Sequence, residues 1–207
     1  MKKRYLFTTV TLAAFMLCAC GHEEVGLTKE NITTKDEIVF NVGGTIQATM
    51  IDEFDKDYYD VDELTEFINK DLETFNSEKE TTIKLDFAVK KSNKVYTVFD
   101  FGGSSDFESY TGAKTEVLDS SAAKKSDLVP DSLEKYGKSK TKKKDKVIKS
   151  KYKTAVIDLS GCEIYDKDIN VTVAGDIEFS SNVKKVDDNT ATISSKDKVG
   201  VIVYKPY

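Results

Sequence analysis

The densest group of chemically active side chains is a run of carboxylates. Seven of the twelve residues from 52 to 63 are acidic: Asp52, Glu53, Asp55, Asp57, Asp60, Asp62 and Glu63. Asp55, Asp57 and Glu66 match positions 1, 3 and 12 of an EF-hand loop. Tyr59 and Asp60 stand at positions 5 and 6, where that loop needs an oxygen ligand and a glycine, so the EF-hand is excluded. Asp55 and Asp57 stay candidates for a looser calcium site, with a solvated, helix-capping acidic face as the alternative.

A second charged segment is basic. Nine of the sixteen residues from 138 to 153 are lysine. Near a membrane each such lysine can contribute about 1 kcal/mol of attraction to anionic lipid, and anionic wall polymers would serve equally. We predict contacts to such a polymer or headgroup by four of them: Lys142, Lys143, Lys144 and Lys146. The alternative is a flexible, extended linker.

Few residue types for catalysis remain. The chain has one histidine, His22, which excludes Ser-His-Asp and Cys-His catalysis in the body of the protein. Two carboxylates could serve a hydrolase, but nothing distinguishes a pair among so many acids. Cys162 is either a reactive thiol or a small, half-buried apolar side chain. The sequence therefore predicts a protein that is not an enzyme and carries no cofactor, with a carboxylate-based hydrolase as the less favoured alternative.

The N-terminus has the pattern of an export signal. Lys2, Lys3 and Arg4 precede an uncharged, mostly apolar run from 5 to 17, which is too short to span a bilayer as a mature helix. The following residues, Leu17-Cys18-Ala19-Cys20-Gly21, resemble the lipobox of bacterial lipoproteins. That resemblance implies cleavage after residue 19, a lipid on Cys20, and a place on the extracytoplasmic face of the cell membrane. Two acyl chains would hold the protein there stably.

The remaining chain is acidic. Removing the three basic residues of the signal changes the formal net charge from −5 to −8. This charge disfavours nucleic acid as a partner. Residues 20–35 are polar and predict a tether.

Residues 36–119 predict an α+β unit. Apolar residues alternate on both sides of Gly43-Gly44, and again on both sides of Ser92-Asn93, which indicates two β-hairpins. Between the hairpins, Asp60 is a good helix N-cap, and the apolar residues that follow fall on one helical face: Val61, Leu64, Ile68, Leu72 and Phe75. A capping-box pattern at Ser105 predicts a short helix that ends at Gly112.

Two further segments complete the predicted fold, which is of the α+β class. Residues 120–151 contain few large apolar side chains and predict a lysine-rich linker. Residues 152–207 contain short apolar runs between turn residues and predict a small all-β unit, either a meander or half of a sandwich.

The segment from Gly44 to Phe75 carries a resemblance. Its run Ile51-Asp52-Glu53-Phe54-Asp55-Lys56-Asp57-Tyr58-Tyr59-Asp60, leading into Glu63-Leu64, looks like uncharacterised surface lipoproteins of anaerobic Gram-positive bacteria. The tail from Val171 to Tyr204 is similar to theirs in rhythm. The resemblance implies location and architecture and no activity.

Together these features predict a membrane-anchored, extracytoplasmic lipoprotein that binds or scaffolds at the cell envelope without catalysis. The alternative is a solute- or calcium-binding module that uses the acidic stretch 52–63.

Overall fold

The computed structural model describes residues 25–165, 168–194, 196 and 198–207. Within these residues the chain forms four helices: α1 (Val61–Lys79), α2 (Ser104–Thr111), α3 (Ser120–Lys125) and α4 (Lys144–Val147). It also forms 13 strands: β1 (Glu37–Phe40), β2 (Ile46–Glu53), β3 (Lys84–Lys91), β4 (Lys94–Phe101), β5 (Lys114–Asp119), β6 (Ser132–Lys135), β7 (Thr141–Lys143), β8 (Lys153–Asp158), β9 (Ile169–Val173), β10 (Gly175–Ser181), β11 (Lys184–Lys185), β12 (Thr190–Ile193) and β13 (Gly200–Pro206). The predicted α+β class is confirmed, with more strand than helix. None of the described helices is both long and apolar enough to cross a bilayer.

The first sheet has seven strands in the order β11-β12-β9-β1-β2-β4-β3. Its two hairpins, β1-β2 and β3-β4, are those predicted from sequence, and β4 lies between β2 and β3. The parallel pair β1-β9 joins residues far apart in the chain, with Ile38 opposite Val171. Strands from the predicted 36–119 and 152–207 units therefore share one sheet, which corrects the prediction of two successive units.

The second sheet has six antiparallel strands in the order β5-β8-β13-β10-β6-β7. It packs face to face against the first sheet. One buried cluster contains Phe40 and Val171 from the first sheet together with Ile157 and Ile202 from the second. Leu72 of α1 belongs to the same cluster, and α1 packs beside β3, the edge strand of the first sheet.

The predicted linker 120–151 is wrong: it is folded onto the outer face of the second sheet. It contains α3, β6, β7 and α4. Its few apolar side chains, among them Ala123, Val129, Leu133 and Ile148, form a buried cluster with side chains of β8, β10 and β13. A short segment needs few apolar residues to fold when each of them reaches an apolar sheet face that already exists.

The described part of the predicted tether also packs against the protein. Leu27 is buried on the outer face of the first sheet, beside Val39 and Val98. Its backbone N–H donates to the Oε1 atom of Gln47 at 2.8 Å. The prediction of a free tether over 20–35 is therefore wrong for residues 25–35.

The two longest helices, α1 and α2, begin in different ways. The carboxylate of Asp60 accepts hydrogen bonds from the backbone N–H groups of Asp62 (2.8 Å) and Glu63 (3.0 Å), as the sequence predicts. Helix α2 differs, because its N-cap is Gly103 and not the predicted Ser105. The carboxylate of Asp106 instead accepts from the backbone N–H of Thr82 (3.1 Å), which joins α2 to the start of β3.

Candidate functional site

A groove of about 650 Å³ lies between the first half of α1 and the end of the first sheet. Its apolar wall consists of Met50, Phe54, Leu64, Phe67, Ile68, Val95 and Phe99, with three tyrosines, Tyr58, Tyr59 and Tyr110, and with Thr97. Four carboxylates line the same groove: Asp52, Glu53, Asp60 and Glu63. The volume is in the range of small-molecule sites.

The groove exists because the apolar stripe of α1 is only partly covered over the first half of the helix. Of the predicted apolar stripe on this helix only Leu72 is buried, while Leu64 and Ile68 are half-buried. The helix is pinned at its far end, where Phe75 packs edge-on against Tyr110 at 5.3 Å. Side chains that would normally close a helix–sheet interface therefore remain open to a ligand.

The floor is rigid and aromatic. The ring of Phe99 on β4 lies 5.7 Å from the ring of Tyr110 on α2. Burial, and to a smaller extent the nearby carboxylate of Asp71, raises the pKa of the Tyr110 hydroxyl above its ordinary value. The hydroxyl thus stays protonated and can donate or accept a hydrogen bond.

The loop between β2 and α1 closes one end with three rings. The backbone N–H of Phe54 donates to the carbonyl of Asn93 at 2.7 Å, which fixes the start of the loop. The Tyr59 ring lies 4.9 Å from the Phe54 ring and 5.0 Å from the Tyr58 ring. These separations are typical of favourable aromatic pairs.

Two aromatic side chains of the groove are strongly exposed. Phe67 on α1 is 70% exposed and Tyr58 in the loop is 76% exposed. An isolated apolar residue on a surface is ordinary, but these two border a continuous apolar concavity. The arrangement can bury the apolar body of a ligand between the rings and the floor.

The predicted calcium candidates lie outside this groove. Asp55 forms an ion pair with Lys56 at 3.3 Å, and both side chains are exposed. Among the described residues no group of three or more His, Cys, Asp or Glu side chains is placed to hold a metal ion. Calcium binding by Asp55 and Asp57 therefore stays a prediction, with no third such side chain grouped with them in the described part of the chain.

The four predicted lysine contacts do not form one surface. The Lys144 ammonium points inward and donates to the backbone carbonyls of Ser126 (3.2 Å) and Val129 (3.0 Å), which corrects its assignment as a contact residue. Lys142 and Lys143 are exposed neighbours on β7, so their side chains point to opposite faces of the sheet. Lys146 is exposed on α4.

Two cysteines remain among the residues singled out from sequence. Cys20, the predicted lipid attachment point, lies outside the described residues. Cys162 is buried, and its Sγ atom accepts from the backbone N–H of Tyr165 at 3.5 Å. This burial favours the small apolar interpretation of Cys162 over a reactive thiol.

Sequence reasoning found the acids of the groove and missed its aromatic residues. The signal was present: Phe67 sits next to the apolar stripe of α1, beside the acidic residues of the first turns.

Comparison with known proteins adds no homologue, because no family model, no curated protein and no solved structure matches the chain.

Proposed function

We propose that this protein is a lipid-anchored binding protein of the extracytoplasmic face, with the groove beside α1 as its ligand site. The observation that carries the proposal is the open aromatic wall of the groove. Covering Phe67, which is 70% exposed, would contribute about 1–2 kcal/mol to ligand affinity. Of the two functions predicted from sequence, we thus favour solute binding by the acidic stretch 52–63 over contacts made by the lysine run.

The polar groups of the groove support binding over hydrolysis. A catalytic general acid is usually a carboxyl group shielded from water. All four carboxylates that line the groove are exposed. They suit the recognition of a ligand's charge more than the transfer of a proton.

Val25, the first described residue, and the groove lie at opposite ends of β2. Val25 and Gly26 lie beside the β1–β2 turn and Gln47, near the start of β2. Asp52 and Glu53 of the groove are at the end of β2, and the six steps from Gln47 to Glu53 span about 20 Å. Four residues lie between Cys20 and Val25, so a lipid on Cys20 would be attached within about 18 Å of Val25. The lipid would thus tether the protein from the side of Val25.

Lipidation is tested by metabolic labelling with a palmitic acid analogue in a bacterium that processes lipoproteins. We expect label on the wild type and on Cys18→Ala, because Cys18 leaves with the signal, and none on Cys20→Ala. Label on Cys20→Ala would contradict the anchor.

The groove is tested with Nile red, a neutral dye whose emission rises in apolar surroundings. The chain from 21 to 207 keeps every described residue and avoids detergent. We expect Phe67→Ala to weaken dye binding roughly 5- to 30-fold, from the lost burial of one ring. Leu128→Ala is the matched control, because Leu128 is also exposed but does not line the groove. Equal dye binding by the wild type and both variants would contradict the groove as the ligand site.

A further inference from the structure

We infer that the ligand of this groove is an organic cation: a substituted ammonium group attached to an apolar body. The inference rests on the proposed function and specifies the chemical class that the groove selects. Three features of the lining carry it: its charge, its aromatic faces and its size.

The charge of the lining is entirely negative. Among the described residues that line the groove, four are carboxylates and none is basic. Glu53 faces a compensating charge, since the Nζ atom of Lys94 lies 4.0 Å from its carboxylate, but both side chains are well exposed. Exposed pairs of this kind are weak. A cation in the groove would thus meet carboxylates that are not already neutralised.

The N-terminal end of a helix carries partial positive charge, which by itself favours an anion beside the first turn of α1. Here that end is already compensated by acids. Both capping hydrogen bonds go to the Oδ1 atom of Asp60, and Asp62 and Glu63 lie in the first turn. The helix end therefore does not oppose a cation in the adjacent groove.

The aromatic faces of the groove suit an ammonium group. A cation over the face of an aromatic ring is attracted by its quadrupole, and aromatic cages are the usual sites for quaternary ammonium ligands. One ring face is already used in this way: the Nζ atom of Lys90, which does not itself line the groove, lies 5.1 Å from the centre of the Phe54 ring. The rings of Tyr58 and Tyr59, next to Phe54, offer further faces beside the carboxylates.

The size of the groove restricts the ligand to a small molecule. A volume of about 650 Å³ accommodates a drug-sized solute and not a folded partner. The apolar floor of Met50 and Phe99 would hold the body of this solute, with its ammonium group at the rim beside Asp52 and Glu63.

The experiment compares three probes that share a phenol body: 4-hydroxyphenyltrimethylammonium, the neutral isostere 4-tert-butylphenol, and the anion 4-hydroxybenzenesulfonate. Each is titrated into the 21–207 chain while the methyl NMR signals of Leu64 and Ile68 are followed. At low salt we expect the cation to bind about tenfold more tightly than the neutral isostere, and the anion more weakly than both. The preference should shrink at about 0.5 M salt, because the carboxylates are exposed and screened.

The variant that tests the charges is Asp52→Asn combined with Glu63→Gln. It should remove most of the preference for the cation over 4-tert-butylphenol and leave the affinity for the neutral probe unchanged, while Glu53, Asp60 and the ring faces keep a smaller preference. Asp62→Asn is the matched control, since Asp62 is an exposed acid of the same helical turn that does not line the groove. Its loss should leave the preference for the cation nearly unchanged.

The outcomes separate this inference from the proposed function. Equal affinity for the cation and its neutral isostere would overturn the charge selectivity and leave the groove as a binding site. A preference for the cation that is undiminished in the double variant would also overturn it. Failure of all three probes to move the Leu64 and Ile68 signals would overturn the groove as a site altogether.

Discussion

Replacing Lys144 with methionine tests whether the 120–151 segment is folded onto the second sheet. The Lys144 ammonium donates to the carbonyl oxygens of Ser126 at 3.2 Å and Val129 at 3.0 Å, and its side chain is 14% exposed. These bonds join the start of α4 to the loop that follows α3. Methionine keeps the length and the apolar contacts of the lysine stem but cannot donate.

The expected loss of stability follows from those two bonds. Hydrogen bonds from a charged donor contribute about 1.5–3 kcal/mol each. The two bonds share one ammonium, whose burial itself opposes folding, so their contributions do not simply add. Asp131 lies 3.6 Å from the ammonium but is 98% exposed, so this ion pair adds at most about 1 kcal/mol. We expect Lys144→Met to lower the free energy of unfolding by about 2–4 kcal/mol.

Urea unfolding followed by circular dichroism measures this change. Since the denaturant slope is about 1–3 kcal/mol per molar urea for small proteins, the midpoint should fall by about 1–2 M. Lys142→Met makes the same chemical change on the exposed strand β7 and should cost about 0.5 kcal/mol or less. Equal midpoints for the two variants would refute the packing of this segment and restore the linker predicted from sequence.

Two further predictions concern a buried carboxyl group and a close backbone contact. Burial raises the pKa of the Glu37 carboxyl above 4.5, although Thr172 donates to it at 2.6 Å. The folded state therefore holds this proton more tightly than the unfolded state, and the resulting stability is lost as the pH rises from 4.5 through the raised pKa. The melting temperature of Glu37→Gln minus that of the wild type should therefore increase as the pH is raised from about 4 to about 7. A difference in melting temperature that does not change with pH would contradict this prediction. Gly112 has φ +75°, and an added Cβ would lie 2.2 Å from the carbonyl oxygen of Gly161. Gly112→Ala should therefore lower the free energy of unfolding by more than the roughly 1–3 kcal/mol that backbone strain alone costs. In thermal melts it should be clearly worse than Gly44→Ala, which has the same strain but open space around its Cβ.

The sequence predicted those elements whose signals are local. Helix α1 follows from the N-cap at Asp60 and the 3.6-residue apolar period, and both N-terminal hairpins follow from alternation around turn residues. The pairing of β1 with β9 could not be predicted in this way. Apolar residues alternate in β9 as well, at Ile169, Val171 and Val173, but alternation indicates which side chains face the core and not which strand lies alongside.

The mistaken linker has a related cause. Residues 138–153 are dominated by lysine, and so many charges indicate a segment that is exposed to solvent. Stability in this segment comes from single side chains such as Leu133 and Val147, which are buried only because the outer face of the second sheet is apolar. Lysines on the edge strand β7 have a structural use as well, since charged edge strands resist pairing with other chains. Contact with an anionic polymer or headgroup stays a prediction, now confined to Lys142, Lys143 and Lys146.

The acidic stretch illustrates why a site can be half predicted. Part of it serves folding, because Asp60 caps α1 and the acids beside it complement the helix dipole. Folding does not account for the rest. A helix cap needs neither Asp52 at the end of β2 nor a ring such as Phe67, which is 70% exposed on the same helix. Acids and exposed rings converge on one groove only after β2, the loop and α1 are assembled, and their convergence is what binding of a ligand would explain.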